Sequence, residues 1–234
     1  MNESDHQDPA LIVPSEARER VTRLRRLDCC TVSDARDRLK ILGVISGIPQ
    51  QSGSSRIAGL IITVKLERGT APAGAVRHLG TTAIEAGGAY HVIAVEQRTG
   101  VEAGSWGGLL TLGAKVKGIA GVLADGPVRD IDEAREAGFP VFTRALTAMT
   151  ARGRVYEQAT NVPITMWGVE VSPGDYVIAD SSAVIFIKAG DIDRVLDTAE
   201  DIAAREATMA KAILAGIPMT QVMASNYENM LKGR

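Results

Sequence analysis

Two short segments of the chain combine residue types that can bind an organic acid. In residues 104–110, glycines stand directly before a predicted helix, and in residues 125–130 a turn ends in Arg129 and Asp130. The first backbone N–H groups of a helix and the helix dipole favour an anion. A candidate carboxylate site is therefore formed by Gly107, Gly108, Leu109 and Leu110. The alternative is a glycine-rich turn without a ligand.

The adjacent Arg129 and Asp130 indicate more specific chemistry. A guanidinium group can donate two parallel hydrogen bonds to a carboxylate, and its charge can stabilise an enolate oxygen. An aspartate oxygen can hold a hard divalent cation, and Mg²⁺ typically keeps several of its waters. The alternative is structural: Asp130 would cap a helix over residues 131–137, and Arg129 would form a surface ion pair.

Other chemistries have no anchor in the sequence. The three histidines are scattered and the two cysteines are adjacent, so zinc has no ligand set and oxygen atoms would have to hold any metal. The sequence has no nucleophile elbow, no phosphate-binding loop and no glycine-rich dinucleotide motif. A formal net charge of -2 gives no sign of a basic face, and the arginines of residues 18–26 alternate with glutamates as on a solvated helix face, the alternative being an RNA-binding patch. Nucleic acid is therefore not an expected partner.

The elements that must position these residues alternate between strands and helices. Apolar runs predict strands at residues 57–66, 91–96, 121–124 and 140–144. Helices are predicted at residues 74–86 and 108–117, and a charged turn followed by a helix is predicted over residues 125–137. This alternation is typical of an α/β fold with a partly parallel sheet, and both candidate segments follow the carboxyl ends of strands. Four further short strands over residues 162–187 predict an antiparallel meander.

Helices are also predicted in the first part of the chain. An amphipathic helix begins at residues 14–16, and Thr31 caps a second helix that ends near Gly43. A loop is predicted at residues 47–55.

A long helix is predicted from Asp191 to about Ala215, and a last helix follows it. We expect three parts, namely a disordered tail (1–13), a catalytic domain (14–190) and a C-terminal helical extension (191–234). The N-terminus has no apolar signal region and no run is long enough to span a membrane, so a cytoplasmic protein is expected.

Many short motifs in one order resemble the RraA-like family. This family includes the class II 4-hydroxy-4-methyl-2-oxoglutarate/4-carboxy-4-hydroxy-2-oxoadipate aldolases and the regulators of ribonuclease E activity. The resemblance covers about residues 28–190, and it is carried by residues 31–35, 57–59, 106–110, 118–122, 125–130, 138–142 and 173–175.

The resemblance implies a fold, an assembly and a site. The implied fold is of the α/β class, an RraA-like swivelling β/β/α-type sandwich with N-terminal helices and a long C-terminal helix. The implied assembly is a homotrimer or a dimer of trimers with sites at subunit interfaces. In the family aldolases, amides matching residues 107–110 bind the substrate carboxylate, the residue matching Arg129 binds substrate, and the residue matching Asp130 binds Mg²⁺ or Mn²⁺.

Two further residues follow from the resemblance, and one position departs from it. Glu206 lies near the region from which family members lend an acid to a neighbouring subunit, and Arg154 falls near a basic substrate-contacting position. Family aldolases usually carry Asp or Glu where this chain has Gly108. Another acid must therefore transfer the proton, or the reaction differs.

These expectations favour a metal-dependent lyase that cleaves a 4-hydroxy-2-oxo acid and releases pyruvate, with oxaloacetate decarboxylation as a possible side activity. One alternative is a non-catalytic protein-binding regulator with the same scaffold, and Gly108 is its best support. The other is a hydratase or isomerase that uses the same metal site on a different acid.

Overall fold

The computed structural model describes residues 13–72 and 78–223. The helices in these ranges are α1 (Ser15–Leu24), α2 (Cys29–Arg38), α3 (Thr81–Glu85), α4 (Gly108–Val116), α5 (Ile131–Ala137), α6 (Ile192–Leu214) and α7 (Met219–Val222). The strands are β1 (Val44–Ile45), β2 (Gln50–Ser52), β3 (Ile57–Arg68), β4 (His91–Glu96), β5 (Val122–Ala124), β6 (Val141–Phe142), β7 (Val155–Thr160), β8 (Ile164–Met166), β9 (Val169–Val171), β10 (Tyr176–Ala179) and β11 (Val184–Ile187).

The long strand β3 organises a mixed sheet of order β1-β11-β10-β3-β4-β5-β6-β2. Strands β3 to β6 are parallel to one another, as the alternating sequence pattern predicts. Along its other edge, β3 pairs antiparallel with β10 through its first residues and with β7 through its last ones. The twelve residues of β3 therefore connect the α/β half of the sheet to the antiparallel half.

Both faces of the sheet are buried at β3, β4, β5, β10 and β11, which explains why these strands are nearly continuous apolar runs. Helices α3, α4 and α5 cover one part of the sheet, and α1, α2 and α6 pack on β10 and β11. The opposite face is covered by the two-stranded β8–β9 sheet, through residues such as Ile164 and Met166. The predicted α/β class with N-terminal helices and a long C-terminal helix is confirmed.

The structure corrects several predicted boundaries in the N-terminal part. Helix α2 begins at Cys29 and is capped by Asp28, whose carboxylate accepts a hydrogen bond from the Thr31 amide at 2.8 Å, so Thr31 is not the cap. This helix ends at Arg38, before Gly43. The predicted loop over residues 47–55 contains β2, which pairs with β6.

Strand β7 is a further difference, whereas the turn and helix over residues 125–137 are observed as predicted. Strand β7 was not predicted; it forms because the end of β3 extends beyond β10 and needs a partner. Helix α5 begins at Ile131, after a turn that occupies residues 125–130. The predicted helix over residues 74–86 is observed at α3, and residues 73–77 lie outside the described residues.

The two ends of the chain are described in part. The predicted tail over residues 1–13 lies outside the described residues except for Val13, which is buried and accepts a hydrogen bond from Arg18. At the other end, α6 is the predicted long helix and α7 the short one after it. None of the helices in the described ranges has the length and apolar character needed to cross a membrane.

Candidate functional site

A cavity of about 330 Å³ lies where both candidate segments of the sequence meet. Its walls come from the start of α4, from the turn before α5 and from a loop that follows β6. The lining residues are His78, Leu79, Gly104, Trp106, Gly107, Gly108, Leu109, Leu110, Arg129, Asp130, Thr150, Ala151 and Arg152. The structure therefore brings Arg129 and Asp130 together with all four residues of the predicted carboxylate site.

Three extended segments beyond the parallel strands hold this arrangement in place. Trp106 forms a parallel bridge with Val128, and Val128 forms another with Leu146. The Arg129 amide donates to the Trp106 carbonyl oxygen at 3.0 Å. Trp106 itself is buried, and its indole Nε1 donates to Thr111 Oγ1 at 2.9 Å, which fixes the first turn of α4. The backbone of Arg129 is thus tied to the same segment that begins the helix.

Glycines in the first segment make room for the side chains of the second. A Cβ added to Gly104 would lie 3.0 Å from Cγ and Cδ of Arg129, and one added to Gly107 would lie 3.0 Å from Asp130 Oδ2. Real Cβ atoms rarely approach other atoms so closely. The glycines therefore allow the arginine stem and the aspartate carboxylate to lie directly against the backbone of residues 104–107.

Asp130 adopts a left-handed backbone conformation, with φ 56° and ψ 38°. This conformation costs an L-residue about 1–2 kcal/mol, and Asp tolerates it better than most. Although Asp130 occupies the N-cap position of α5, its side chain forms no capping hydrogen bond. Its Oδ2 instead accepts from the Gly108 amide at 3.1 Å, at the start of α4. The capping alternative for Asp130 is therefore wrong.

Arg129 lies beside this carboxylate at the cavity surface. Its Nε donates to both oxygens of Asp130 at 3.1 Å, and the two side chains are 37% and 31% exposed. No further partner is found for the guanidinium within residues 13–72 and 78–223. Its terminal nitrogens can therefore donate to an anion in the cavity.

The start of α4 has the form of an anion site. Gly107 is extended at the N-cap position and contributes no capping side chain. Helix geometry leaves the first amides of the helix, those of Gly108, Leu109 and Leu110, without an intrahelical acceptor. The Gly108 amide binds Asp130, while the next two amides remain positioned for a carboxylate.

Two residues implied by the family resemblance lie away from this cavity in the single chain. Arg154 donates from Nη1 to the Thr150 carbonyl oxygen at 3.3 Å, so it supports the loop, and Arg152 lines the cavity instead. Glu206 lies on α6, where burial raises its pKa and the charges of Asp28 and Asp34 raise it further. The assignments of Arg154 and Glu206 as site residues stay predictions.

Sequence reasoning missed His78, Thr150 and Arg152 as cavity residues. His78 follows a stretch outside the described residues, and its ring Nδ1 lies 3.1 Å from the carbonyl oxygen of Leu79. Thr150 and Arg152 belong to a loop that reaches the cavity because the Gly104 amide donates to the Met149 carbonyl oxygen at 2.9 Å. This contact spans distant parts of the chain, and no local motif signals it.

The donor atoms at the cavity fit a hard cation held by few protein ligands. Among the described residues, no group of three or more His, Cys, Asp or Glu side chains could hold a metal ion. Mg²⁺ commonly uses one or two carboxylates and completes its six positions with water and substrate oxygens. Asp130 provides such a carboxylate, partly exposed and anchored by the Gly108 amide.

With this geometry established, comparison with known proteins identifies the family. The model of the RraA-like family, described as Aldolase/RraA, matches residues 29–186. The chain belongs to the RraA-like family. The matched region includes the cavity segments at residues 104–110 and 125–130, so the motifs in the sequence indicated the correct family.

Individual relatives are similar to the chain at modest identity. The uncharacterised protein MJ0644 of Methanocaldococcus jannaschii is 33% identical over 122 residues, 52% of this chain and 58% of that protein. A 4-hydroxy-4-methyl-2-oxoglutarate aldolase of Thermus thermophilus is 31% identical over 139 residues, 58% of this chain and 77% of the aldolase. The chain spans only part of the first curated relatives it matches, 58% of one and 31% of another.

A solved structure supports the fold independently of sequence identity. Streptomyces coelicolor RraAS2, described as an unusual member of the RNase ES inhibitor RraA protein family, superposes with a TM-score of 0.71. The match covers 81% of this chain and 94% of that protein at 24% identity. At this identity the likeness establishes the fold of RraA-like proteins and says nothing of a shared activity.

Proposed function

We propose that the protein is a divalent-metal-dependent lyase that cleaves a 4-hydroxy-2-oxo acid by a retro-aldol reaction and releases pyruvate. The observation that carries this proposal is the convergence of Arg129, Asp130 and the amide-lined start of α4 on one cavity. Oxaloacetate decarboxylation, which passes through the same pyruvate enolate, is the expected side activity. The aldolase name of the Thermus thermophilus relative supports the same reaction class.

Each group at the cavity has a role in this reaction. The free amides of α4 and the terminal nitrogens of Arg129 bind the substrate carboxylate and the oxygen on which negative charge develops. Asp130 would hold Mg²⁺ or Mn²⁺, which when bound polarises the ketone as a Lewis acid. Trp106 and Leu110 form an apolar wall that limits access of water, since both are buried.

The reaction balances without an external reductant or oxidant. A basic group takes the proton of the distal hydroxyl, and the bond between the third and fourth carbons breaks. Its electron pair passes into the pyruvate enolate, which Arg129 stabilises, and the fourth carbon leaves as a carbonyl product. The same proton is then returned to the third carbon, so that the final products are pyruvate and the second carbonyl compound.

We also propose that the protein acts as a homotrimer or a dimer of trimers in the cytoplasm, with Glu206 contributed by a neighbouring subunit. Leu109, Leu112 and Val116 on α4 support this, because they are 85%, 56% and 79% exposed and lie on one helix face beside the cavity. Light scattering on Leu112→Asp should report a smaller particle than wild type, and Leu42→Asp, another exposed leucine, is the control.

The free thiols of Cys29 and Cys30 fit a reducing compartment such as the cytoplasm.

The second candidate function is non-catalytic regulation of another protein, favoured by the lack of a side chain at Gly108. A pyruvate-release assay separates the two candidates. A panel of 4-hydroxy-2-oxo acids and oxaloacetate is tested with Mg²⁺, with Mn²⁺ and after chelation. Metal-dependent pyruvate release supports the lyase. The absence of turnover on the whole panel would leave the regulator, and a product without carbon–carbon cleavage would indicate a hydratase or isomerase.

A further inference from the structure

Gly108 begins α4 in a position where the backbone does not require glycine. Gly108 is the first residue of α4, and its φ lies outside the left-handed range that excludes side chains. Glycine is also among the poorest helix formers. The reason for glycine at this position must therefore lie in the space around it.

That space is filled by the side chain of Glu133. If residue 108 had a Cβ, this atom would lie 2.6 Å from the carboxyl carbon of Glu133 and even nearer to its Oε2. The Cβ of Asp130 is the next neighbour, at 3.3 Å. The carboxylate of Glu133 thus occupies the volume that a side chain at position 108 would need.

Neither a capping box nor an ion pair accounts for the position of the Glu133 carboxylate. Glu133 is the third residue of α5, from which a capping-box glutamate would accept a hydrogen bond from the N-cap amide. Within the described residues its carboxylate accepts no hydrogen bond and forms no ion pair, whereas the adjacent Asp132 is paired with Arg135 at 2.9 Å. The Glu133 carboxylate is directed over the start of α4 without a protein partner.

Two carboxylates therefore meet at Gly108. Oδ2 of Asp130 accepts from the Gly108 amide, and the Glu133 carboxylate lies over the Gly108 Cα. Two neighbouring carboxylates repel each other unless a cation or a proton lies between them. Arg129 contacts only Asp130 of the pair among the described residues, so the exposed Glu133 carboxylate has no cationic side chain beside it there.

We propose that Glu133 is the second acid of the site, working with Asp130 at a bound divalent cation and made possible by the missing side chain of Gly108. This inference rests on the proposed lyase function and names its proton-transferring group. Oε2 of Glu133 takes the proton of the distal substrate hydroxyl when the carbon–carbon bond breaks, and it returns this proton to the third carbon of the enolate. Helix α5 thus supplies, through Glu133, a carboxylate at the start of α4.

The test measures Mn²⁺ binding and turnover separately on the full chain. Binding is followed by electron paramagnetic resonance of free Mn²⁺, without substrate, and turnover by pyruvate release. Glu133→Gln keeps the size of the side chain and removes its charge. Glu136→Gln, an exposed glutamate on the same helix, is the matched control. We expect Glu133→Gln to weaken Mn²⁺ binding about tenfold and to lower kcat about 100-fold with little change in KM, while Glu136→Gln matches wild type.

A variant that moves the carboxylate from position 133 to position 108 distinguishes a role of the charge from a purely structural effect of the substitution. Glu133→Ala removes the carboxylate, and combining it with Gly108→Asp places a new carboxylate in the volume that becomes free. Recovery of Mn²⁺ affinity and kcat in the double variant, relative to Glu133→Ala alone, supports the proposal. A double variant as weak as Glu133→Ala in both measurements counts against it, provided that thermal melting shows both variants folded.

The outcomes distinguish this inference from the proposed function. If Glu133→Gln and Glu136→Gln behave alike in Mn²⁺ binding and in kcat, the role of Glu133 is refuted and the lyase stands. If Mn²⁺ binding weakens in Glu133→Gln but no acid of the panel yields pyruvate, the acid pair stands and the lyase fails. If wild type binds no Mn²⁺ at millimolar concentration, both are wrong.

Discussion

Arginine–carboxylate pairs occur in two regions of the molecule, and they differ in which guanidinium nitrogens remain free to bind a ligand. Between α1 and α6, Arg23 donates to Glu200 through Nε and Nη2, both at 2.8 Å, and Nη2 also reaches Asp197. Arg20 binds Asp193 through the same two nitrogens, also at 2.8 Å. At the cavity, Arg129 uses only Nε on Asp130, at 3.1 Å.

The difference follows from where the partners lie in the chain. Arg23 and Glu200 are 177 residues apart, so their bond joins two helices and stabilises the fold. Arg129 and Asp130 are neighbours, and their contact joins no distant elements. An arginine whose hydrogen bonds hold helices together has little left for a ligand, whereas one with free terminal nitrogens beside a cavity is suited to bind an anion.

Replacement of Arg129 is the strongest way to test this comparison. We expect Arg129→Ala to lower kcat/KM for the accepted oxo acid about 10²–10³-fold, because one donor to the developing negative charge is lost. The melting temperature should stay near the wild-type value, since Arg129 joins no distant elements. Arg23→Ala should show the reverse pattern, with normal turnover and a lower melting temperature. Near-normal turnover in Arg129→Ala would contradict the assignment of Arg129 to ligand binding.

A smaller effect is expected from Gly104→Ala, which retains Arg129 but displaces its side chain. The added Cβ would lie 3.0 Å from the Arg129 stem and 3.2 Å from the Met149 carbonyl oxygen. A shift of a few tenths of an ångström should lower kcat/KM about tenfold, because a full 1 Å misplacement costs about 10²-fold. Gly190→Ala is the control, since its Cβ would meet nothing within 4 Å. Equal kinetics in the two variants would contradict the role assigned to Gly104.

The same two regions show how far sequence reasoning reaches. Strands β3 and β4 were predicted closely because fully buried strands are continuous apolar runs, and the Arg129–Asp130 pair was found because it is contiguous in sequence. Strand β7 escaped because its Glu157, Gln158 and Ala159 are poor strand formers, and only the free end of β3 makes them pair.

The missed residues have a common cause. Arg152 lines the cavity and Glu133 lies against Gly108 at its edge, and in both cases segments apart in the chain meet without a local motif. Glu133 in particular looks like an ordinary first-turn glutamate of α5, for which a negative charge near the helix N-terminus is reason enough. The signal that could have pointed to it is a glycine at the start of α4, which only gains meaning once α4 and α5 are placed side by side.

The paired region permits a more modest prediction about stability. Arg23→Ala should lower the free energy of unfolding by about 1 kcal/mol or less at pH 7, measured by urea denaturation, because partly exposed pairs contribute roughly 0.2–1 kcal/mol. Arg98→Ala, away from α6, is a suitable comparison, since Arg98 forms no ion pair among the described residues. Equal stability of the two variants would mean that the α1–α6 pairs contribute nothing measurable.

The smallest expected effect is the pH dependence of that stability difference. The hydrogen bond from Arg23 lowers the pKa of Glu200 in the folded protein, against burial, which raises it. A carboxyl group whose pKa is lower when folded stabilises the fold above its ordinary pKa of about 4.3, and this contribution disappears as the pH falls through the lowered value. Wild type and Arg23→Ala should therefore differ by a constant amount from pH 7 to about pH 5 and converge in more acidic solution. A gap that stayed constant or widened on acidification would show that Arg23 stabilises α1 and α6 through packing of its aliphatic stem, and not through its charge.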